Sequence, residues 1–200
     1  GSVASICGAD LDGDGDDEVV MGSDNMHHYA FDGAGKELWR AKTVHASTVC
    51  DAADLDGDGR DEILAATEYY NSSLLDEKGK RIARIGGGPN WPLARALDVT
   101  GDGTPEAIFG ADDAGVRIVN GQGGGVWTAD VGGSPTGAAL MPKGTATSVA
   151  FSSEAFVVAG YTTDGTRAWW LDMPEQIADL ASVAGGVAAA CDDGTVYVVS

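Results

Sequence analysis

The stretch Asp10-Leu-Asp-Gly-Asp-Gly-Asp-Asp-Glu18 recurs almost unchanged as Asp54-Leu-Asp-Gly-Asp-Gly-Arg-Asp-Glu62. A third, weaker copy reads Asp98-Val-Thr-Gly-Asp-Gly-Thr-Pro-Glu106. The copies begin at residues 10, 54 and 98, so they repeat with a period of 44 residues. Self-similarity at a period of about 40–45 residues is typical of β-propeller blades, each of which is one small antiparallel sheet. The period therefore predicts an all-β propeller.

The same order of strand and turn signals accompanies each copy of the motif. An apolar strand precedes the acidic turn, a second strand follows it directly, and a third strand leads through a glycine turn into an outer strand. After residue 131 the period continues, but the first turn of the fourth unit, residues 142–145, has no carboxylate. We predict one domain over residues 1–200, with four-stranded blades at about 3–43, 47–86, 92–131 and 135–173, and an incomplete blade at 176–200.

Five units leave two architectures open. Either the five blades close into a compact ring with a reduced last blade, or they are part of a larger ring. An open arrangement would expose the apolar faces through which blades contact each other, and such faces favour self-association. We favour the closed ring of five blades.

Each acidic turn offers the oxygen ligands that Ca²⁺ prefers, which number six to eight at about 2.3–2.6 Å. Side chains at positions 1, 3, 5 and 9 of the turn, with the backbone carbonyl of position 7, can surround one ion when the glycines let the chain wrap tightly. The predicted ligands are Asp10, Asp12, Asp14, the carbonyl of Asp16 and Glu18; Asp54, Asp56, Asp58, the carbonyl of Arg60 and Glu62; and Asp98, Thr100, Asp102, the carbonyl of Thr104 and Glu106.

The third turn has Thr100 where the first two have an aspartate, so it carries one negative charge fewer. We therefore predict two strong calcium sites and one weaker site. The alternative is an Asp- and Gly-rich β-turn without metal, which three copies at one spacing make unattractive.

The three turns resemble the calcium loops of FG-GAP (VCBS-type) repeats, which occur in integrin α-subunit propellers and in bacterial secreted proteins. The resemblance covers about residues 3–131, although the Phe-Gly and Gly-Ala-Pro signatures are missing apart from Phe109-Gly110-Ala111. Residues 29–39, Tyr-Ala-Phe-Asp-Gly-Ala-Gly-Lys-Glu-Leu-Trp, are similar to the outer hairpin of PQQ-like propeller repeats. The FG-GAP resemblance implies that the metal is structural and ties the first two strands of a blade together on one face of the disc.

The charge balance narrows the partners and the location. The formal net charge is −19 with only 12 Lys and Arg residues, which argues against nucleic acid, because phosphate binding needs a basic surface. No apolar run is long enough to span a membrane. No signal peptide is visible, and we interpret the start at Gly1 as trimmed. Calcium loops of modest affinity suit a millimolar-calcium setting, which predicts an extracellular, cell-surface or periplasmic protein.

The chain has three cysteines, too few for a disulfide scaffold. Cys7 lies three residues before Asp10 and Cys50 four residues before Asp54, so the two point to opposite faces of equivalent strands. Facing sheets of adjacent blades could therefore bring them together near the propeller axis. We favour two free buried thiols, and their redox state stays open at this point. Cys191 has no evident partner.

The face opposite the acidic turns is where we expect a ligand, because loops on a rigid scaffold carry function. Planar aromatics beside an amide can stack on sugars and donate hydrogen bonds, so the predicted ligand-binding residues are Tyr69, Tyr70, Asn71 and Trp91. The alternative is that such aromatics cap the core. His28 aligns with buried apolar positions and is best interpreted as a core histidine.

Two functions of different classes remain. The first is a calcium-stabilised binding or adhesion module that recognises a glycan or a protein. It rests on structural metal sites and on a sequence without nucleophile-elbow, zinc or phosphate-loop motifs. The alternative is a polysaccharide lyase, whose candidate catalytic residues would be His28, His45, Tyr69 and Tyr70. Whether the chain is an enzyme is left open, with the binding module favoured.

Overall fold

The computed structural model describes residues 1–113, 115–142, 144 and 147–200. Over this part of the chain all regular elements are β-strands, and nineteen strands form five antiparallel sheets. The described residues contain no helix of the length and apolarity that a membrane span requires. The predicted all-β propeller, with four-stranded blades followed by one of three strands, is confirmed. The expected acid-free turn at residues 142–145 lies partly outside the described residues.

The strands follow one another without crossovers, so each sheet is built from one continuous stretch of chain. The first sheet contains β1 (Val3–Ala9), β2 (Glu18–Ser23), β3 (His27–Phe31) and β4 (Glu37–Lys42). The second contains β5 (Ser47–Ala53), β6 (Glu62–Thr67), β7 (Tyr70–Leu75) and β8 (Arg81–Gly88). The third contains β9 (Leu93–Leu97), β10 (Glu106–Gly110), β11 (Gly115–Val119) and β12 (Gly125–Asp130).

The fourth and fifth sheets continue the same order. The fourth contains β13 (Pro135–Leu140), β14 (Val149–Ser153), β15 (Val157–Tyr161) and β16 (Arg167–Asp172). The fifth contains β17 (Ile177–Val183), β18 (Gly186–Cys191) and β19 (Val196–Val199). The first strands of successive sheets, β1, β5, β9, β13 and β17, contact each other in turn and form the inner edge of the assembly.

The core lies between the sheets rather than within any one of them. Side chains alternate across a strand, so each central strand serves two interfaces. In β6, Ile63 and Ala65 join the cluster shared with the first sheet, whereas Leu64 and Ala66 join the cluster shared with the third sheet. All six residues of β6 are buried for this reason.

Tryptophans on two of the outer strands fasten the first and third sheets to a hairpin of the next sheet. The Trp39 indole in β4 donates to the Glu77 carbonyl at 2.9 Å, in the turn between β7 and β8. Gly79 of that turn has φ +75° and lies against the Trp39 ring, where a built Cβ would be 2.6 Å from Cε3. Trp127 in β12 repeats the arrangement by donating to the Thr163 carbonyl at 3.2 Å.

The described residues do not close into a ring. β17 contacts β13 and β14, and it makes no comparable contact with β1. The outward face of the first sheet exposes Ile6, which is 68% exposed, and the outward face of the fifth exposes Val196 and Val198, at 61% and 64%. The expectation of a closed five-blade ring is therefore wrong, because the two terminal sheets do not cover each other. The five sheets form an arc.

Candidate functional site

The first acid of each turn organises the loop around its carboxylate. Directly after β5, Asp54 accepts a hydrogen bond from the Gly57 amide at 2.7 Å through Oδ1 and from the Gly59 amide at 2.9 Å through Oδ2. Gly57 and Gly59 have φ values of +80° and +86°, a left-handed conformation that costs glycine nothing. Asp10 and Asp98 accept the equivalent pairs of bonds in their turns.

The acids at positions 3 and 5 are held by the turn itself. Asp12 Oδ1 accepts from the Asp14 amide at 3.2 Å, and Asp14 Oδ1 accepts from the Asp16 amide at 2.9 Å. The amides of Arg60 and Thr104 donate at 2.9 Å to the acids two residues before them. The three predicted carbonyl ligands, those of Asp16, Arg60 and Thr104, belong to residues that these amide hydrogen bonds hold within the turns.

The last acid of each motif closes the turn onto the following strand. Glu62 is the first residue of β6 and accepts the Leu55 amide at 2.9 Å through Oε2. Glu18 accepts the Leu11 amide at 3.0 Å in the same way. The start of each turn is therefore tied to the strand that leaves it, which brings the position 9 carboxylate back beside position 1.

The first two turns each gather a compact set of oxygen ligands. One carboxylate oxygen from each of Asp10, Asp12 and Glu18 lies within 4.8 Å of the others, and the same holds for Asp54, Asp56 and Asp58. A divalent cation bound by hard oxygens would offset the concentration of negative charge in each set. The donor set fits Ca²⁺ at both turns.

The raised pKa of Glu62 in the second turn is also consistent with a site for a cation. Burial, together with the neighbouring Asp56, Asp58 and Asp54 carboxylates, raises the pKa of Glu62 to about 7, although one hydrogen bond from the Leu55 amide lowers it. A carboxyl group in this position is held near other anions at a free-energy cost, because like charges disfavour ionisation. A bound cation would offset this free-energy cost, because it attracts the ionised carboxylates.

The third turn has the same backbone but a poorer donor set. Thr100 donates its hydroxyl to Glu106 Oε1 at 2.8 Å, and burial raises the pKa of Glu106. Among the described residues, groups of three clustered acids occur in the first two turns and not in this one. Substitution of an acid by Thr100 accounts for the difference, and the weaker third calcium site stays a prediction.

One contact between the turns could not be anticipated from their spacing. Asp61 donates its amide to the Asp10 carbonyl at 2.8 Å, and its Oδ2 accepts the Asp10 amide at 3.0 Å. Asp61, at position 8 of the second turn, is thus hydrogen-bonded to Asp10, at position 1 of the first turn, across the interface between two sheets. We call this pair of hydrogen bonds the clasp. The third turn has Pro105 at this position, which lacks an amide hydrogen.

The opposite face carries an exposed cluster of aromatic and apolar side chains. The His45 ring centroid lies 5.3 Å from that of Tyr69 and 5.5 Å from that of Tyr70, and these two tyrosines are 50% and 66% exposed. Thr43 connects them to the first sheet, since its amide donates to the Met26 carbonyl and its hydroxyl to the His45 carbonyl. We call Met26, Val44, His45, Tyr69 and Tyr70 the aromatic patch.

Two members of the aromatic patch adopt a backbone conformation that large residues rarely take. Met26 and Tyr70 have φ values of +64° and +60°, as does Phe156 (+60°) at the same place in the fourth sheet. The left-handed region costs such residues about 1–2 kcal/mol each, and glycine would avoid the cost. Strain of this kind is often retained where a side chain is needed at the surface.

The remaining residues predicted for this face are placed differently. Asn71 lies beside Tyr70 at the start of β7 and is half-buried, with its carbonyl accepting the Thr67 hydroxyl at 2.6 Å. Trp91 is fully buried against Phe109, with the Arg117 guanidinium 4.9 Å from its ring centroid. The prediction that Trp91 contacts a ligand is therefore corrected, since the link before β9 folds its indole into the core between the second and third sheets.

His28 is enclosed between the first and second sheets. It is 0% exposed, its Nε2 lies 3.1 Å from Ser47 Oγ, and its Nδ1 has no hydrogen-bond partner among the described residues. Burial lowers its pKa to about 4. The structure places His28 in the core, whereas His45 is half-buried and Tyr69 and Tyr70 are exposed, so His28 does not share the surface of the other three candidate catalytic residues.

Comparison with known families identifies the repeats. Residues 10–65, which contain the first two acidic turns and most of β6, match the family described as FG-GAP-like repeat. The chain is a β-propeller in which residues 10–65 are FG-GAP-like repeats. No curated protein matches it. The FG-GAP-like turns are therefore the part of the chain that sequence comparison recognises.

Solved structures agree on the fold. The structure of BBS1N in complex with ARL6DN, soaked with mercury, has a TM-score of 0.72 and 16% identity, covering 96% of this chain and 64% of that one. Saccharomyces cerevisiae Sqt1 has a TM-score of 0.77 and 12% identity, covering 90% of this chain and 54% of that one. The FG-GAP-like chain spans less than two thirds of either protein, and identities this low establish the fold alone.

Proposed function

We propose that this FG-GAP-like propeller is a calcium-stabilised module that binds a protein partner through the aromatic patch, outside the cytoplasm. The observation that carries the proposal is the group formed by half-buried His45 and exposed Tyr69 and Tyr70, held by the β4–β5 link and the β6–β7 turn on the face opposite the acidic turns. Exposed aromatic groups on a rigid scaffold are frequent energetic centres of protein interfaces.

A protein fits the patch better than a glycan. Tyrosines could stack on sugar rings, but Met26 and Val44, 44% and 42% exposed, extend the surface with groups that cannot hydrogen-bond to hydroxyls. Methionine and tyrosine are both enriched at protein interfaces. The structural neighbour BBS1N, which is in complex with ARL6DN, gives a precedent for a propeller of this fold with a protein partner.

Peptide selection tests the partner class. A displayed random-peptide library and a panel of immobilised glycans would each be incubated with the calcium-loaded protein and with two variants, Tyr70→Gly and Phe156→Gly. Both substitutions remove an exposed side chain at a strained position and relieve the strain, so both variants should fold. We expect enriched peptides whose binding weakens at least tenfold in Tyr70→Gly, about 1.4 kcal/mol, and is unchanged in Phe156→Gly.

Two results would reject this assignment. Binding to glycans with no peptide enrichment would show that the ligand of this module is a carbohydrate rather than a protein. Equal loss of peptide binding in both variants would show that the aromatic patch is not the contact surface.

The calcium sites would act as structural supports. The twofold occurrence of clustered carboxylates and the raised pKa of Glu62 support a bound cation. Metal that binds only the native state adds stability, about 2.7 kcal/mol at a concentration one hundred times the dissociation constant. Chelation by EDTA should therefore lower the melting temperature, and added CaCl₂ should restore it. An unchanged melting temperature after elemental analysis has verified calcium removal would disprove the structural role.

The proposed location outside the cytoplasm rests on calcium affinity. Oxygen-only loops with exposed ligands suit dissociation constants of about 10⁻⁴–10⁻³ M, which are filled in extracellular media. Isothermal titration calorimetry of the apo protein tests this, because a submicromolar constant would indicate a cytoplasmic calcium sensor or buffer instead.

The polysaccharide lyase alternative finds no support in the site. A general base must reach the proton that it removes. His28 is enclosed in the core, which leaves His45 without the second histidine that the alternative invoked.

A further inference from the structure

Two cysteines meet at the inner edge of the arc. Cys7 in β1 and Cys50 in β5 belong to adjacent sheets whose first strands are packed together. Their sulfur atoms are 2.7 Å apart. The bond length of a disulfide is about 2.05 Å, so a displacement of less than about 1 Å separates this contact from a covalent bond.

We propose that Cys7 and Cys50 form a disulfide that covalently joins the first and second sheets. The bond would form by exchange with a small-molecule disulfide such as oxidised glutathione. One cysteine thiolate attacks a sulfur of the oxidant and releases one glutathione thiol. The second cysteine then displaces the other glutathione from the mixed disulfide, so that two protein thiols are oxidised while one oxidant disulfide is reduced to two thiols.

The surroundings favour oxidation over the other roles of a cysteine pair. Among the described residues, no histidine or acid joins Cys7 and Cys50 in a group that could hold a metal ion. The Cys7 thiol donates a hydrogen bond to the Cys50 sulfur, which lowers the pKa of Cys50 and supplies the thiolate that exchange requires. Cys7 is half-buried, so the pair is not sealed from a small oxidant.

The third cysteine provides a control within the same chain. Cys191 ends β18 in the fifth sheet, and it is buried and free. It differs from Cys7 and Cys50 in having no thiol beside it among the described residues. Cys50 and Cys191 are both buried, so an oxidant that merely modifies accessible thiols would not distinguish these two, whereas the proposed bond would.

Mass spectrometry tests the proposal directly. The folded protein would be incubated with oxidised glutathione, unfolded in the presence of iodoacetamide, and weighed intact. We expect the loss of two hydrogen atoms, a single alkylated cysteine, and a peptide linking Cys7 to Cys50 in a digest without reductant. The Cys191→Ser variant should show the same link and no alkylation, and the Cys50→Ser variant should show no link.

Thermal unfolding gives an independent measurement on unmutated protein. A crosslink between positions 43 residues apart restricts the unfolded chain, so oxidised wild type should melt about 10 °C above reduced wild type. Alkylation of all three cysteines after oxidation would overturn the proposal. Stable glutathione adducts on Cys7 or Cys50 would also overturn it, since they would show that the two sulfurs cannot close.

Discussion

At the scale of single residues, His28 makes the stability of the fold depend on pH. Its folded pKa of about 4 lies below the ordinary value of 6.5 because burial disfavours the imidazolium. Above pH 6.5 the ring is neutral in both states, and the fold keeps its full stability. Between pH 6.5 and 4 the His28 ring becomes protonated in the unfolded chain but stays neutral in the native state. The free energy of unfolding therefore falls as pH falls, by about 3 kcal/mol in total.

The His28→Asn variant isolates this contribution. Denaturant unfolding at several pH values should show a shallower loss of free energy between pH 7 and 4 in the variant than in wild type. The carboxylates titrate in both proteins and cancel in the comparison. Parallel pH profiles would mean that His28 is protonated in the folded state as readily as in the unfolded one.

Thr100 leaves the third acidic turn with one carboxylate fewer than the first two turns, so we expect it to weaken calcium binding there. It occupies the position of Asp12 and Asp56 in the stronger turns, and its hydroxyl is engaged by Glu106. Thr100→Asp restores the third carboxylate, so calorimetry should detect tighter calcium binding at this turn, about tenfold or 1.4 kcal/mol. The control Thr104→Asp adds the same charge where only the backbone carbonyl is a ligand. Equal gains in both variants would indicate a general charge effect.

At the scale of elements, a neighbouring sheet decides whether a glycine in a hairpin turn has room for a side chain. Gly35 and Gly79 occupy the same turn position with φ values of +80° and +75°. A Cβ on Gly35 would meet nothing within 4 Å, whereas one on Gly79 would meet the Trp39 ring at 2.6 Å. Substitution by alanine strains the backbone equally in both, about 1 kcal/mol, and only Gly79→Ala also displaces the indole.

Chemical denaturation of the two alanine variants measures the difference. We expect Gly79→Ala to lose at least about 1 kcal/mol more than Gly35→Ala, because the Trp39 hydrogen bond to the Glu77 carbonyl is disturbed as well. If the two losses are equal, the indole does not fasten the first sheet to the second.

The geometry of the acidic turns could be predicted from sequence because each turn lies within nine residues. Local spacing sets which carboxylates converge, and Asp10 and Asp54 take the same bonds in the structure. Contacts between sheets have no such signature. The clasp of Asp61 on Asp10 depends on how two sheets stack, and so does the meeting of His45 with the tyrosines.

Two misplaced features share this cause. Trp91 lies in a Pro-Asn-Trp-Pro link that looks like an exposed loop, yet its side chain fills a space that only the third sheet creates. The closed ring was expected from four complete repeats and an incomplete fifth, although closure depends on the angle between blades, which no local motif encodes.

At the scale of the whole molecule, the terminal sheets present unpaired apolar faces. Ile6 on the first sheet and Val198 on the fifth are the counterparts of residues that other sheets bury against a neighbour. Such faces should associate, so we expect sedimentation velocity to show a weight-average mass that rises with concentration. The Ile6→Asp and Val198→Asp variants should remain monomeric over the same range. A concentration-independent monomer in wild type would contradict this expectation.

The clasp between Asp61 and Asp10 has a consequence for how metal is taken up. Ordering the first FG-GAP-like turn around an ion would fix the Asp10 backbone, and through it the Asp61 peptide that adjoins the ligand Glu62. An ion bound in one turn would therefore reduce the conformational entropy that the other turn loses when it binds its own ion. Calcium binding to the first two turns should be positively cooperative for this reason. Pro105 denies the third turn this link, so the third ion should load on its own, as a separate phase of the isotherm.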